Sequence, residues 1–201
     1  HALDRRQRQM CIRDRNNIKE MKLYSDAYRI FKDLKALGYS EDDKLNLEDV
    51  NQFDQLHYHG TLSVQEAIES INIQENDNVL EVGAGWGGPS RYIAYKTRAY
   101  VSALELQQDY SEVGKELTLR TGLQRFVTHI NQDFLNFSQK SACFNKIVSW
   151  LALYHIPYRK KYTDKIFNLL NKNGMLFIED LTFGSGFESS HKEMLETVSY
   201  T

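Results

Sequence analysis

The chain has 201 residues, 41% hydrophobic and 26% charged, with a formal net charge of −2, which suits one globular domain with a sizeable core. A mildly acidic chain with no dense Lys/Arg cluster beyond residue 15 is a poor nucleic-acid binder, and no apolar run is long enough to span a bilayer. Its two cysteines offer neither a disulfide framework nor metal-ligand spacing, which fits a reducing compartment, read here as the cytoplasm.

At the N-terminus, Met10 to Arg15 (MCIRDR) reads as a translated sequencing-library adapter, and Val198 to Thr201 (VSYT) as the same adapter on the opposite strand. Residues 1–15 and 198–201 are therefore expected to be foreign to the protein; a basic nucleic-acid arm is the alternative for the first of them. Residues 1–15 hold five arginines against two aspartates, so the remaining body stands at −5, with Cys143 its one cysteine. From Asn16 to Leu37, Tyr24, Ala27, Tyr28, Phe31 and Leu34 recur at helical spacing, and Gly38 is placed to end the helix. Glu41 to Asn51 is acidic and irregular and reads as a loop. Asp54 to Gly60 (DQLHYHG) is a polar and aromatic cluster without a period. Ser63 is placed to cap a helix through Ile71, with Glu66 at the capping-box position.

A regular alternation follows. Val79–Val82 reads as a buried strand and Ser90–Tyr95 as its helix. Tyr100–Leu104 is a second strand, and Gln108 to Thr121 a helix with Tyr110, Val113, Gly114 and Leu117 on one face. Phe126–Ile130 and Lys146–Trp150 are strands three and four. Tyr158–Leu170 is a helix with Tyr162, Ile166 and Leu170 inward, and the Asn173-Gly174 turn leads into a fifth strand, Met175–Glu179. Strands alternating with helices predict an α/β fold, a doubly wound, mainly parallel sheet covered on both faces.

Between the first strand and its helix, Gly83, Gly85, Gly87 and Gly88 fall within six positions, and Pro89 suits a helical first turn. Strand, glycine turn and helix start let a backbone approach an adenosine-bearing ligand closely. The pattern Gly83-x-Gly85-x-x-Gly88 also fits a dinucleotide fingerprint, so the glycines alone leave a nicotinamide cofactor open. Ligands of such sheets sit outside the carboxyl ends of the strands. Those ends carry Glu105, able to accept from both ribose hydroxyls; Asp133-Phe134, able to bond and stack an adenine; Trp150; Tyr154-His155; and Glu179-Asp180.

Together these segments resemble the class I S-adenosylmethionine-dependent methyltransferases. VLEVGAGWGG is similar to their first motif, with Glu81 as the acid before the glycines. ALELQQDY carries the ribose acid Glu105, NQDFL the adenine-side pair, FNKIVSWLALYHIP the fourth strand and LLNKNGMLFIED the fifth. The resemblance spans Asp54 to Asp180 and implies S-adenosyl-L-methionine as cofactor, touched by Glu81, Gly83, Gly85, Gly87, Glu105, Leu106, Asp133, Phe134 and Trp150. A nicotinamide enzyme would not be expected to show the Glu81 and Asp133 elements. DQLHYHG with GGPSRYIA is most like the sarcosine/dimethylglycine N-methyltransferases, which build glycine betaine. That implies a small-molecule amine acceptor, met by Gln55, His57, Tyr58 and His155. Tyr58 and His155 would frame the amine, with His155 accepting its proton. Phosphoethanolamine methyltransferases are more distantly similar, and usually carry an aspartate where Leu151 stands here; Leu151 cannot hold a cationic amine. Sterol and lipid methyltransferases share the glycine motif, and a non-catalytic S-adenosylmethionine-binding subunit is the alternative of another class. No metal is implied. Residues 16–71 are expected to form an N-terminal helical cap and 72–197 an incomplete core, with two further strands after the fifth missing and residues 187–197 a loop and partial helix.

Overall fold

The computed structural model describes residues 26–156 and 158–181. Both adapter-like ends, the first part of the expected N-terminal helix with Tyr24, and the segment 187–197 lie outside the described residues. Helix α1 spans Arg29–Ala36, α2 Leu47–Asn51 and α3 Thr61–Ser70. Strand β1 (Asn78–Val82) is followed by α4 (Gly88–Thr97), β2 (Tyr100–Glu105), α5 (Gln108–Arg120), β3 (Val127–Asn131) and β4 (Phe144–Trp150). A short 3₁₀ turn, Leu153–His155, then leads to α6 (Arg159–Leu169) and β5 (Leu170–Glu179).

The five strands form one sheet in the order β3-β2-β1-β4-β5, and every neighbouring pair is parallel. The doubly wound α/β fold is therefore present, and the order reverses between β1 and β4, where such sheets open a ligand crevice. Period-two alternation splits the strand residues into two layers. Val79, Val101, Ala103, Val127, Val148 and Trp150 share a core with Val64, Ala67 and Ile68 of α3 and Ile93 and Ala94 of α4. Leu80, Val82, Leu104 and Ile147 face the opposite way, onto Ile166 and Leu169 of α6 and onto Phe134 and Phe137.

Several local expectations change. The acidic stretch 41–51 contains α2, because Asn46 accepts the Glu48 N–H at 2.8 Å and caps it. Ser63 is not a cap: α3 begins two residues earlier, after Gly60, and Ser63 is buried inside it, bonded to Glu179 and Trp150. The buried face of α1 is Ile30 and Leu34, continued by Ala27 just before the helix, whereas Tyr28 at its start stands 54% exposed. The Asn173-Gly174 turn falls inside β5, where Asn173 has φ 71° and the register shifts between Phe144 and Lys146 of the facing strand.

Trp86, inside the glycine turn, points away from the crevice. Its indole N–H donates to the Ala27 carbonyl at 2.9 Å, its ring stacks on Tyr110 at 5.2 Å, and the Arg29 guanidinium lies over it at 5.0 Å. The N-terminal helix is thus docked directly onto the turn.

Arg91 of α4 carries the strongest polar tie. Its side chain and that of Asp54 are both fully buried, with Nη2 to Oδ2 at 2.8 Å. Nη1 donates to the carbonyls of Trp86 (2.7 Å) and Gly114 (3.1 Å) and to Thr118 Oγ1 (3.1 Å). One guanidinium therefore joins the 54–60 loop, the glycine turn and α5. Removing one partner leaves the other charge buried without a counter-ion, which costs roughly 3–5 kcal/mol. Asp54→Ala should accordingly lower the urea midpoint steeply. The double replacement Asp54→Leu with Arg91→Met should recover much of that loss; a single variant as stable as the parent would contradict this description of the pair.

Candidate active site

The carboxyl ends of β1, β2 and β4 and the 54–60 loop enclose a cavity of about 370 Å³, a size suited to a small ligand. Its floor is the turn after β1. Gly83 adopts φ +77°, and a Cβ there would sit 2.2 Å from Ala152 Cβ, so only glycine lets the loop after β4 close on the turn. The Gly83 and Ala84 N–H groups both donate to the Leu104 carbonyl, at 2.9 and 3.0 Å. Glu105 then receives the Gly85 N–H on Oε2 and the Gln107 N–H on Oε1, each at 2.8 Å. Each carboxylate oxygen has a second lone pair, so Glu105 can still accept ligand hydroxyls.

Glu81 is 2% exposed and accepts from Ser90 Oγ of α4. Burial pushes its carboxyl up to about 8, against the opposing pull of Ser90 and Arg91. Burial likewise raises Glu105, opposed by the backbone N–H groups it accepts. At the end of β3, Asp133 turns its own loop, accepting the Leu135 N–H at 2.9 Å and the Asn136 amide at 3.1 Å, and Phe134 is buried beside it. Trp150 closes β4, its indole N–H donating to Ser63 Oγ at 2.8 Å, with the His57 ring packed against it, tilted by 30° at a centroid distance of 5.5 Å. His155 reaches the cavity from the 3₁₀ turn, and burial holds its pKa below the ordinary imidazole value while Asp180 opposes that shift.

Of the residues expected to touch cofactor or acceptor, Glu81, Gly83, Gly85, Glu105, Leu106, Asp133, Phe134, Trp150, His57 and His155 line this cavity. Three do not. Tyr58 is 60% exposed and lies outside the lining. Gln55 turns back to bond Asp54 and His57. Gly87 faces His129, whose Cε1 lies 2.5 Å from where a Cβ would stand. The sequence reading missed Leu56, Tyr110, Gln132 and Ile156 in the lining, and it missed Asp54 as the buried partner of Arg91. An arginine among the buried positions of a helix was the available signal, since a buried guanidinium demands a carboxylate somewhere.

The charge of the lining is one-sided. Asp54, Glu81, Glu105 and Asp133 line it, Asp54 balanced by Arg91 behind the wall and Glu81 keeping its proton up to about 8, and among the described residues no Lys or Arg lines it. A ligand with cationic groups and ribose hydroxyls fits such a wall, whereas a pyrophosphate would meet no cation in the lining to balance it. S-adenosylmethionine, with its sulfonium and ammonium, has that chemistry. No group of residues suited to hold a metal ion is found among the described residues, and no helix there is long and apolar enough to cross a membrane.

The family model for mycolic acid cyclopropane synthetase matches residues 54–197. The chain is 30% identical over 122 residues to a sterol 24-C-methyltransferase of Eremothecium gossypii, covering 60% of this chain and 32% of that protein. It is 26% identical over 102 residues to a sarcosine/dimethylglycine N-methyltransferase of Halorhodospira halochloris, covering 51% of this chain and 37% of that one. It thus spans about a third of the length of these curated relatives. A solved structure from Galdieria sulphuraria, provisionally assigned as a sarcosine dimethylglycine methyltransferase, superposes with a TM-score of 0.63 at 20% identity, over 87% of this chain and 67% of that chain. At that identity the likeness establishes the fold.

The buried titratable groups predict a pH dependence with two opposed arms. Folded Glu81 keeps a proton that the unfolded chain releases near its ordinary value. Its contribution is therefore complete at low pH and is lost as pH rises towards 8. His129, held down to about 3 chiefly by burial and bonded to Thr118 at 2.8 Å, acts in the other sense: its contribution is present above the ordinary imidazole value and lost as pH falls towards 3. Urea midpoints measured from pH 6.5 to 8 should fall for the parent chain and stay flatter for Glu81→Gln. An identical slope in both would remove Glu81 as the cause.

Proposed function

Because this chain belongs to the family described as mycolic acid cyclopropane synthetase, we propose that it is an S-adenosylmethionine-dependent methyltransferase whose acceptor is a small-molecule amine of the sarcosine or dimethylglycine kind. The observation that carries the cofactor reading is the acidic, cation-free wall around Glu105 and the glycine turn. Glu105 would take the ribose hydroxyls, Phe134 and Leu106 would flank the adenine, and Glu81, buried and bonded to Ser90, would back the glycine turn. The cofactor, when bound, supplies an activated methyl group on a sulfonium. The protein's task is then to hold a neutral nucleophile in line and exclude water.

On the acceptor side stand Leu56, His57, Trp150, Leu151, Ile156 and His155. His155, kept neutral by burial, would accept the proton that a primary or secondary amine loses as its nitrogen bonds to the methyl carbon and the carbon–sulfur bond breaks towards sulfur. Tyr58, exposed as it is, drops out of this role, leaving His155 as the proton acceptor. The cavity of about 370 Å³ lies at the lower end of the ~300–1,000 Å³ range of ligand pockets, which favours a small acceptor once the cofactor occupies the same space. A sterol or lipid acceptor is the second reading, favoured by the apolar Leu56, Leu151 and Ile156 and by the sterol methyltransferase likeness.

Calorimetric titration of S-adenosylhomocysteine into the protein should show binding, weakened tenfold or more by Glu105→Ala. A folded protein that does not bind it would overturn the cofactor assignment. With sarcosine, dimethylglycine and a sterol offered in turn, methyl transfer to sarcosine should fall by about 10²-fold in His155→Ala, the scale on which general bases act, and transfer to neutral dimethylglycine, which has no N–H to lose, should fall less. Transfer to the sterol alone would replace the amine reading by the lipid one.

A further inference from the structure

Behind the acceptor-side wall runs a line of hydrogen bonds that methyl transfer itself does not use. Arg91, fully buried, donates to Asp54 Oδ2 at 2.8 Å. Asp54 Oδ1 accepts from the Gln55 amide nitrogen at 2.7 Å. The Gln55 amide oxygen lies 3.0 Å from His57 Nε2, and the other ring nitrogen, Nδ1, lies 2.9 Å from the Tyr58 carbonyl. The ring itself lines the cavity and packs, tilted, against Trp150.

We infer that Arg91, Asp54 and Gln55 form a positioning relay that turns the Gln55 carbonyl onto His57, and so fixes the orientation and proton affinity of the imidazole in the acceptor-side wall. The direction of each bond follows from what each group can do. A guanidinium does not give up its proton in a protein, so its buried partner Asp54 is an acceptor. Asp54 therefore meets the NH₂ side of Gln55, a choice reinforced by Asn51 Oδ1 at 3.4 Å from the same nitrogen. The amide oxygen is left facing His57. Both ring nitrogens thus point at oxygens that can only accept, and each is best satisfied by a ring N–H.

Burial of the ring holds the His57 pKa below the ordinary imidazole value, and His59 acts in the same sense. The Tyr58 carbonyl and the carboxylates of Glu179 and Asp54 work for the charged form. The Gln55 carbonyl adds a further acceptor on that side, and without the buried pair behind it the amide would be free to turn over. His57 is consequently a wall residue with both nitrogens turned to oxygens of the protein, which leaves proton acceptance to His155. Only that last division of labour rests on the methyltransferase reading; the relay itself does not.

The test is a proton–nitrogen NMR titration of the histidine side chains in the whole chain, for the parent and for Gln55→Leu. In the parent, both ring N–H protons of protonated His57 should exchange slowly enough to be seen, as hydrogen-bonded protons do. In Gln55→Leu the His57 midpoint should fall by about one pH unit, a tenfold loss of proton affinity, while the His155 midpoint stays in place. A His57 midpoint that does not move, or a parent ring with only one protected N–H, would overturn the relay. Calorimetry with S-adenosylhomocysteine on the same samples separates the two ideas: binding with an unmoved His57 discards the relay alone, and a shifted His57 without binding discards the cofactor reading alone.

Discussion

The arrangement depends on one backbone constraint, the tie between the turn after β1 and the end of β2. Two consecutive N–H groups, of Gly83 and Ala84, converge on the Leu104 carbonyl, and the next glycine's N–H is taken by Glu105. A turn this tight leaves no room for a side chain at Gly83, where Ala152 fills the place a Cβ would occupy. The same contact brings the loop after β4 against the turn, and with it Leu151 and His155. The cavity is therefore shaped less by the side chains that line it than by three strand ends fastened to one another through main chain.

Around that tie the polar groups divide by function. On the crevice side the fixed groups are carboxylates and imidazoles. On the far side, Arg91 supplies a positive charge paired with Asp54, its two terminal nitrogens bonded to Asp54, Trp86, Gly114 and Thr118. The guanidinium is thus spent on holding the 54–60 loop to the sheet and offers nothing to an anionic ligand. This separation is why a glycine pattern shared with dinucleotide-binding proteins can serve a cationic cofactor: the geometry of the turn is common, and the charge of its surroundings differs.

Much of this was legible in the sequence. The run from Val79 to Val82, the glycines and Pro89 declare strand, turn and helix through local preferences, and Glu105 and Asp133 follow at strand ends because period-two patterning locates those ends. Residues whose role comes from distant partners were not legible. Asp54 and Arg91 are 37 residues apart, and nothing local to either names the other. Ser63 looked like a helix cap because its spacing to Glu66 suits one, but burial against Trp150 and Glu179, the latter 116 residues on, overrides that preference. Tyr58 sits in the right loop yet faces solvent. Whether an aromatic ring in an aperiodic loop turns inward depends on its neighbours' bonds, here those of Gln55 and His57.

The central claim is that the cavity between the ends of β1, β2 and β4 is a cofactor site for S-adenosylmethionine with the acceptor pocket beside His155. A crystal structure of the protein with S-adenosylhomocysteine tests it most directly. The account predicts ribose hydroxyls on Glu105, the adenine against Phe134, and the sulfur directed towards the space bounded by Trp150 and His155. Density for the ligand elsewhere on the chain, or in this cavity with the ribose away from Glu105, would contradict it.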